Sequence, residues 1–269
     1  MAVIRPLFVV AGARISPVNA STDALQASGM QQAPAQPQRL HRRAFSKAGY
    51  SVALIARGQS SLNALSEEIN STGGNAAPFC MPSYAPGNFS STFASIHAQF
   101  PPAQYAVRAA LWNVGYAVWK PFLEVTPEEV DESLTTNVAA AFAFSREAIL
   151  KFKENSTDAE KPNRGTLIFT GATASTRGNT MTSAFAPGKF GARALSQSLA
   201  KEFGKDDIHV AHAIIDGQIM TGAALANSGG NPPARLSPES IAQAYLYLAN
   251  QEKSAWTWEL DLRPAHEKW

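Results

Sequence analysis

The stretch "TLIFTGATASTRGNTMTSAFAPGKFGARALSQSLAKEFGKDDIHVAHAIIDG", residues 166–217, decides the fold. It opens on a short apolar run, crosses a polar turn into a long amphipathic segment, and closes on a second apolar run. Runs that are apolar throughout read as strands buried on both faces, and the segment between them as a helix. Two strands joined by a helix make the crossover unit of a parallel sheet.

The same alternation extends in both directions. LFVVAGA (7–13), SVALIAR (51–57), AAPFCM (76–81) and YAVRAALWNVG (105–115) read as strands. HRRAFSKAGY (41–50), SLNALSEEINSTGG (61–74) and FSSTFASIHAQF (89–100) read as the helices between them. Thr126-Pro127-Glu128-Glu129 is a helix start, with an N-cap threonine, proline at the first helical position and glutamate at the third. That helix can run through residues 132–153, followed by a polar loop at 155–165. SPESIAQAYLYLANQ (237–251) is a last helix and WTWELDL (256–262) a last strand. The pattern predicts an α/β fold: a doubly wound, Rossmann-like parallel sheet in three αβα layers, forming a single domain over 1–269. Ligands of such sheets sit at the carboxyl ends of the strands.

Composition excludes several classes of function. Hydrophobic residues make up 45% of the 269, charged ones 16%, and the formal charge is +2, with no basic face for nucleic acid. A single cysteine, Cys80, excludes an intramolecular disulfide and a cysteine-cluster metal site. Cys80 itself, in an apolar run, reads as a buried strand residue. The five histidines form no His-x-x-x-His pair, so no metal site is expected. The apolar run at 7–11 is too short for a membrane span, and the expected location is cytoplasmic.

A dinucleotide site needs a glycine-rich turn after the first strand, so that the backbone can approach the pyrophosphate. Gly12 is present, and then the pattern fails. Residues 14–38 hold one glycine and three prolines among Ala, Gln and Ser, the composition of a disordered linker. Either a natural surface insertion or a sequence artefact, such as translated non-coding sequence, interrupts the turn there.

Four motifs in order then resemble the short-chain dehydrogenase/reductase family over about four-fifths of the chain. WNVG (112–115) resembles the family's Asn-Asn-Ala-Gly, and Asn137 in TTNVAAAF stands at the family's helix asparagine. Lys189 matches the lysine of Tyr-x-x-x-Lys, and DGQIMTG (216–222) resembles the loop Pro-Gly-x-x-x-Thr. The resemblance implies an oxidoreductase acting on a small carbonyl or hydroxyl compound. Its cofactor site would include Gly12, Arg57, Asn113, Gly115, Lys189 and Thr221, and its catalytic positions would be Asn137, Thr173, Phe185 and Lys189. It also implies a homodimer or homotetramer, with no nucleic-acid or membrane partner. Arg57, at the end of the second strand, suits a 2′-phosphate and favours NADP(H) over NAD(H).

The departures matter as much. Phe185 stands where the family has tyrosine, Ala172 where it has serine, and no acidic residue follows the third strand. The chain thus resembles an atypical branch that carries Phe and Lys in place of Tyr and Lys. Tyr116, Thr173 and Asp216 are the candidate substitute acids. Without the resemblance, Lys189 is a solvated helix lysine, Arg57 an exposed strand-end arginine and Asn137 a helix-surface asparagine. The alternative function is a non-catalytic nucleotide-binding or interaction protein that keeps the fold.

Overall fold

A computed structural model describes residues 4–12, 38–157, 162–220 and 235–266. Its strands are β1 (Arg5–Ala11), β2 (Ser51–Ala56), β3 (Ala76–Cys80), β4 (Tyr105–Trp112), β5 (Gly165–Ala172), β6 (Ile208–Ile215) and β7 (Glu259–Leu262). They form one sheet of order β3-β2-β1-β4-β5-β6-β7, parallel at every pairing. The helices between them are α1 (Gln38–Lys47), α2 (Gln59–Ser71), α3 (Asn88–Gln99), α4 (Pro127–Leu134), α5 (Ala140–Lys153), α6 (Phe185–Phe203) and α7 (Pro238–Ala249).

The apolar strands are buried because helices cover both faces. Side chains alternate along β1: Leu7, Val9 and Ala11 join one core, while Phe8 and Val10 join the other. The first core takes Phe89 and Phe93 of α3 and Phe144 and Phe152 of α5. Phe144 packs edge-on to Phe89 and Phe93 and tilted against Trp112. The second takes Phe45 of α1, Leu62 and Leu65 of α2, and Tyr245 and Leu248 of α7. Phe8 and Phe45 stack there, with ring centroids 3.9 Å apart. Each such side chain, once buried, contributes about 1.5–3 kcal/mol of transfer free energy.

Two readings need correction. The helix expected to run unbroken through 132–153 is interrupted by a π turn at Thr135–Ala139. It starts as expected, with the Thr126 hydroxyl accepting from Glu129 N–H and the Glu129 carboxylate accepting from Thr126 N–H. Cys80 is exposed, not buried. It closes β3, one of the two edge strands, where the burial of the central strands does not extend. The reading of residues 14–38 as an insertion falls on a stretch of which 14–37 lie outside the described residues.

Candidate active site

The chain winds outward from β1 to β3, then returns beside β1 as β4 and winds the other way. The crevice at the carboxyl ends of β1 and β4 is therefore where a ligand of this fold sits. Gly12 closes β1 with φ +93°, and a Cβ there would collide with the Asn113 carbonyl. Only glycine meets both conditions. Gly12 N–H donates to Ile55 O at 3.0 Å, and Asn113 N–H to Ala11 O at 3.1 Å, so the first three strands of the crevice end in register. The side-chain nitrogen of Asn113 is buried and has no hydrogen-bond partner among the described residues.

Asn137, Gly115, Lys189 and Phe185 converge beside that crevice. The π turn swings Asn137 inward, leaving it 1% exposed. Turns of this kind recur at functional sites. Asn137 Nδ2 donates to Tyr116 O and Ser133 O, each at 2.9 Å, and its Oδ1 accepts from Tyr116 N–H. Its side chain thus holds the loop after β4 against the end of α4. A Cβ on Gly115 would lie 3.4 Å from Lys189 Nζ and 3.6 Å from Asn137 Oδ1. Lys189 Nζ donates to Thr170 O at 3.1 Å. Burial pushes the Lys189 ammonium down to about 8. Phe185, buried at the start of α6, has its ring centroid 5.9 Å from that nitrogen and 5.8 Å from the ring of Trp119.

The substitute acids fare differently. Asp216 is buried and fully engaged: the Thr173 hydroxyl donates to it, and Arg177 and Arg263 pair with it at 3.1 and 2.7 Å. Of the candidate substitute acids, Thr173 and Asp216 are therefore bound to each other. Ala172 offers no hydroxyl, and its N–H donates to Ser175 Oγ. Tyr116 is half-buried, and its backbone is tied to Asn137. Arg57 is exposed at the end of β2, its guanidinium 5.4 Å from the ring centroid of Tyr84. Thr221 lies outside the described residues.

Three contributors went unnoticed in the sequence. Ser133 donates to Ala184 O at 2.7 Å and accepts from Asn137, tying α4 to the start of α6. A Cβ on Gly188 would sit 2.8 Å from Asn137 Nδ2, so that glycine lets α6 lie directly on the asparagine. The glycines at 188 and 191, one turn apart in a helix, were the available signal. His212 is fully buried beside Lys189, without a hydrogen-bond partner among the described residues. Burial, aided by the Lys189 charge, pushes its imidazole down to about 4. No sequence signal marks it, because its neighbours come from other strands.

The donor set fits a dinucleotide at its nicotinamide end. The Asn113 amide nitrogen is buried without a partner among the described residues, the Lys189 ammonium has one protein acceptor, and Gly12 and Gly115 leave the backbone between them bare. Among the described residues no cluster suits a metal ion, and no helix is long and apolar enough to cross a membrane.

Comparison with known proteins bears on the family and the fold. A 3alpha-hydroxysteroid dehydrogenase of Mediterraneibacter gnavus is 30% identical over 164 residues, 58% of this chain and 62% of the relative. An L-2,3-butanediol dehydrogenase of Corynebacterium glutamicum is 31% identical over 126 residues, 45% of this chain and 46% of the relative. The matched stretches thus span less than two thirds of either relative. The crystal structure of a short-chain dehydrogenase from Rhodopseudomonas palustris superposes with a TM-score of 0.72 at 28% identity, covering 96% of this chain and 98% of that one. A metagenomic short-chain oxidoreductase, solved in complex with NADP, shares the fold with a TM-score of 0.71 at 17% identity, over 97% of each chain. The family model for short chain dehydrogenases matches residues 41–228, well over half of the sequence. The chain belongs to the short chain dehydrogenase family.

Proposed function

We propose that this chain is an NADP(H)-dependent oxidoreductase acting on a small secondary alcohol or its ketone, of a branch in which phenylalanine holds the tyrosine position. The convergence of Lys189, Asn137 and Gly115 at the crevice carries this reading, because a mere scaffold has no use for a buried ammonium there. The two relatives named above act, by name, on secondary alcohols. When bound, the dinucleotide supplies or accepts the hydride. Lys189 and Asn113 would hold its nicotinamide half, while Asn137 keeps the loop after β4 in place through Tyr116. Phe185 and Trp119 wall the substrate from water. A homodimer or homotetramer in the cytoplasm goes with this reading: Phe142, Leu150 and Phe190 leave apolar surface exposed on α5 and α6.

A second reading has its own support. Phe185 carries no proton, and the Thr173 hydroxyl is committed to Asp216. A nucleotide-binding protein without catalysis would look the same.

Cofactor titration tests the proposal. The chain is expected to bind NADPH weakly, and a form with a short glycine-rich turn in place of residues 14–38 is expected to bind it measurably better by fluorescence. Equal, tight binding by both would make that stretch a functional loop. In the same assay, Arg57→Asp should move the NADPH-to-NADH affinity ratio about tenfold or more, since a charge-assisted hydrogen bond is worth about 1.5–3 kcal/mol. An unchanged ratio would mean that the arginine serves only its contact with Tyr84.

A further inference from the structure

We propose that Lys189 is a nucleophilic amine that condenses with small apolar aldehydes to form an imine, without any need for a dinucleotide. The surroundings of Nζ carry this. An ammonium has three donors, and here a single backbone acceptor, Thr170 O at 3.1 Å, receives one of them. Among the described residues no carboxylate pairs with Nζ. Asp216, the buried acid at the end of β6, is occupied by Thr173, Arg177 and Arg263. A phenol at position 185 would give the nitrogen an oxygen partner; the phenylalanine gives it a ring face 5.9 Å away.

The facing groups from the other elements do not favour the charged form either. His212 of β6 is neutral and buried. Behind it, Arg193 of α6 and Glu259 of β7 neutralise each other in a two-pronged pair at 2.6 and 2.8 Å. Asn137 and Gly115 bring no charge. Burial therefore leaves the amine at about 8, within reach of its neutral form near neutral pH. Desolvated lysines of this kind are those that act as nucleophiles on carbonyls.

Lys189 is buried, and the side on which an aldehyde would reach Nζ is that of Gly115. Nζ lies at the carboxyl end of β5, where Gly115 leaves the approach without a side chain. Phe185 and Trp119 offer an apolar wall to the aldehyde's alkyl part. The neutral nitrogen attacks the carbonyl carbon to give a carbinolamine. Its carbon–oxygen bond then breaks, the oxygen leaves as water with both amine protons, and a C=N bond remains. No oxidant or reductant is consumed.

Reductive trapping tests this on the wild-type chain. The protein is incubated with propanal and sodium cyanoborohydride, whose hydride fixes the imine as a secondary amine, and each lysine is read by peptide mass spectrometry. At pH 7.5 roughly a quarter of an amine with pKa 8 is neutral, against about one in a thousand for an exposed lysine. Lys189 is therefore expected to be alkylated at least about tenfold faster than the exposed Lys47 and Lys205. That ratio should fall as the pH is raised toward 10, because the surface amines then become neutral as well. Lys189→Arg should remove this site and leave the other two unchanged. Labelling of Lys189 no faster than the surface lysines, or only after unfolding in urea, overturns the proposal. The lysines are compared within one wild-type sample, so the test does not depend on a variant that folds.

Discussion

Phe185→Tyr is expected to raise carbonyl reduction by about 10²–10⁴-fold, the usual worth of a positioned general acid. The ring already lies in the site, buried between Lys189 and Trp119, so the change adds one oxygen without moving the helix. Lys189 stands one helical turn on and would lower the new phenol's pKa toward the working range. The gain should stop short of a full family enzyme, because Ala172 gives the substrate oxygen no hydroxyl. The double variant with Ala172→Ser should therefore exceed the single one. NADPH oxidation with a diketone or quinone measures both, in the form carrying the repaired glycine turn so that cofactor binding is not limiting. If neither variant gains activity while NADPH still binds, the oxidoreductase reading fails and the binding protein stands.

Asp216→Ala should cost the largest amount of stability of any single change in the site. The carboxylate is 1% exposed and is shared by Arg177, Arg263 and the Thr173 hydroxyl. Removing it leaves two guanidiniums facing each other. Breaking a buried pair in this way costs about 3–5 kcal/mol. The lower figure applies here, since the Arg177 side chain is 48% exposed and can turn to water, while Arg263 keeps Asp261 at 2.9 Å. A loss of about 3 kcal/mol corresponds to a fall in Tm of roughly 6–12 °C. Thermal unfolding reads this directly, and adding Arg177→Ala to the variant should recover part of the loss. An unchanged Tm would mean that the cluster is solvated.

Strands and helices were legible because nearly every strand is covered on both faces, which forces continuous apolar runs. Asn113 and Gly115 could be singled out for a related reason, since ligands of a parallel sheet sit at its carboxyl ends; Lys189, within a helix, was marked by the family resemblance alone. Cys80 was misread because an apolar run does not reveal that its strand is an edge. The Thr173–Asp216 contact was beyond reach, since it joins residues 43 apart through the register of β5 and β6. The π turn had no local signature either. TTNVA suits an ordinary helix, and only Asn137's partners in the neighbouring loop favour the wider turn.

That wider turn is the one place where the helical stretch from α4 to α5 can change length by a residue without turning its buried face. A π turn holds one residue more than an α-helix would over the same rise. Excising a single residue between 135 and 139 would let the stretch close into a regular α-helix, while Ala141, Phe144, Ala148 and Phe152 keep the face that fills the core beneath the sheet. The asparagine alone would lose its place and its hold on the loop after β4. The same excision within α5 would instead rotate everything after it by about 100° and pull those side chains from the core. A one-residue loss at the bend thus dismantles the crevice and spares the core.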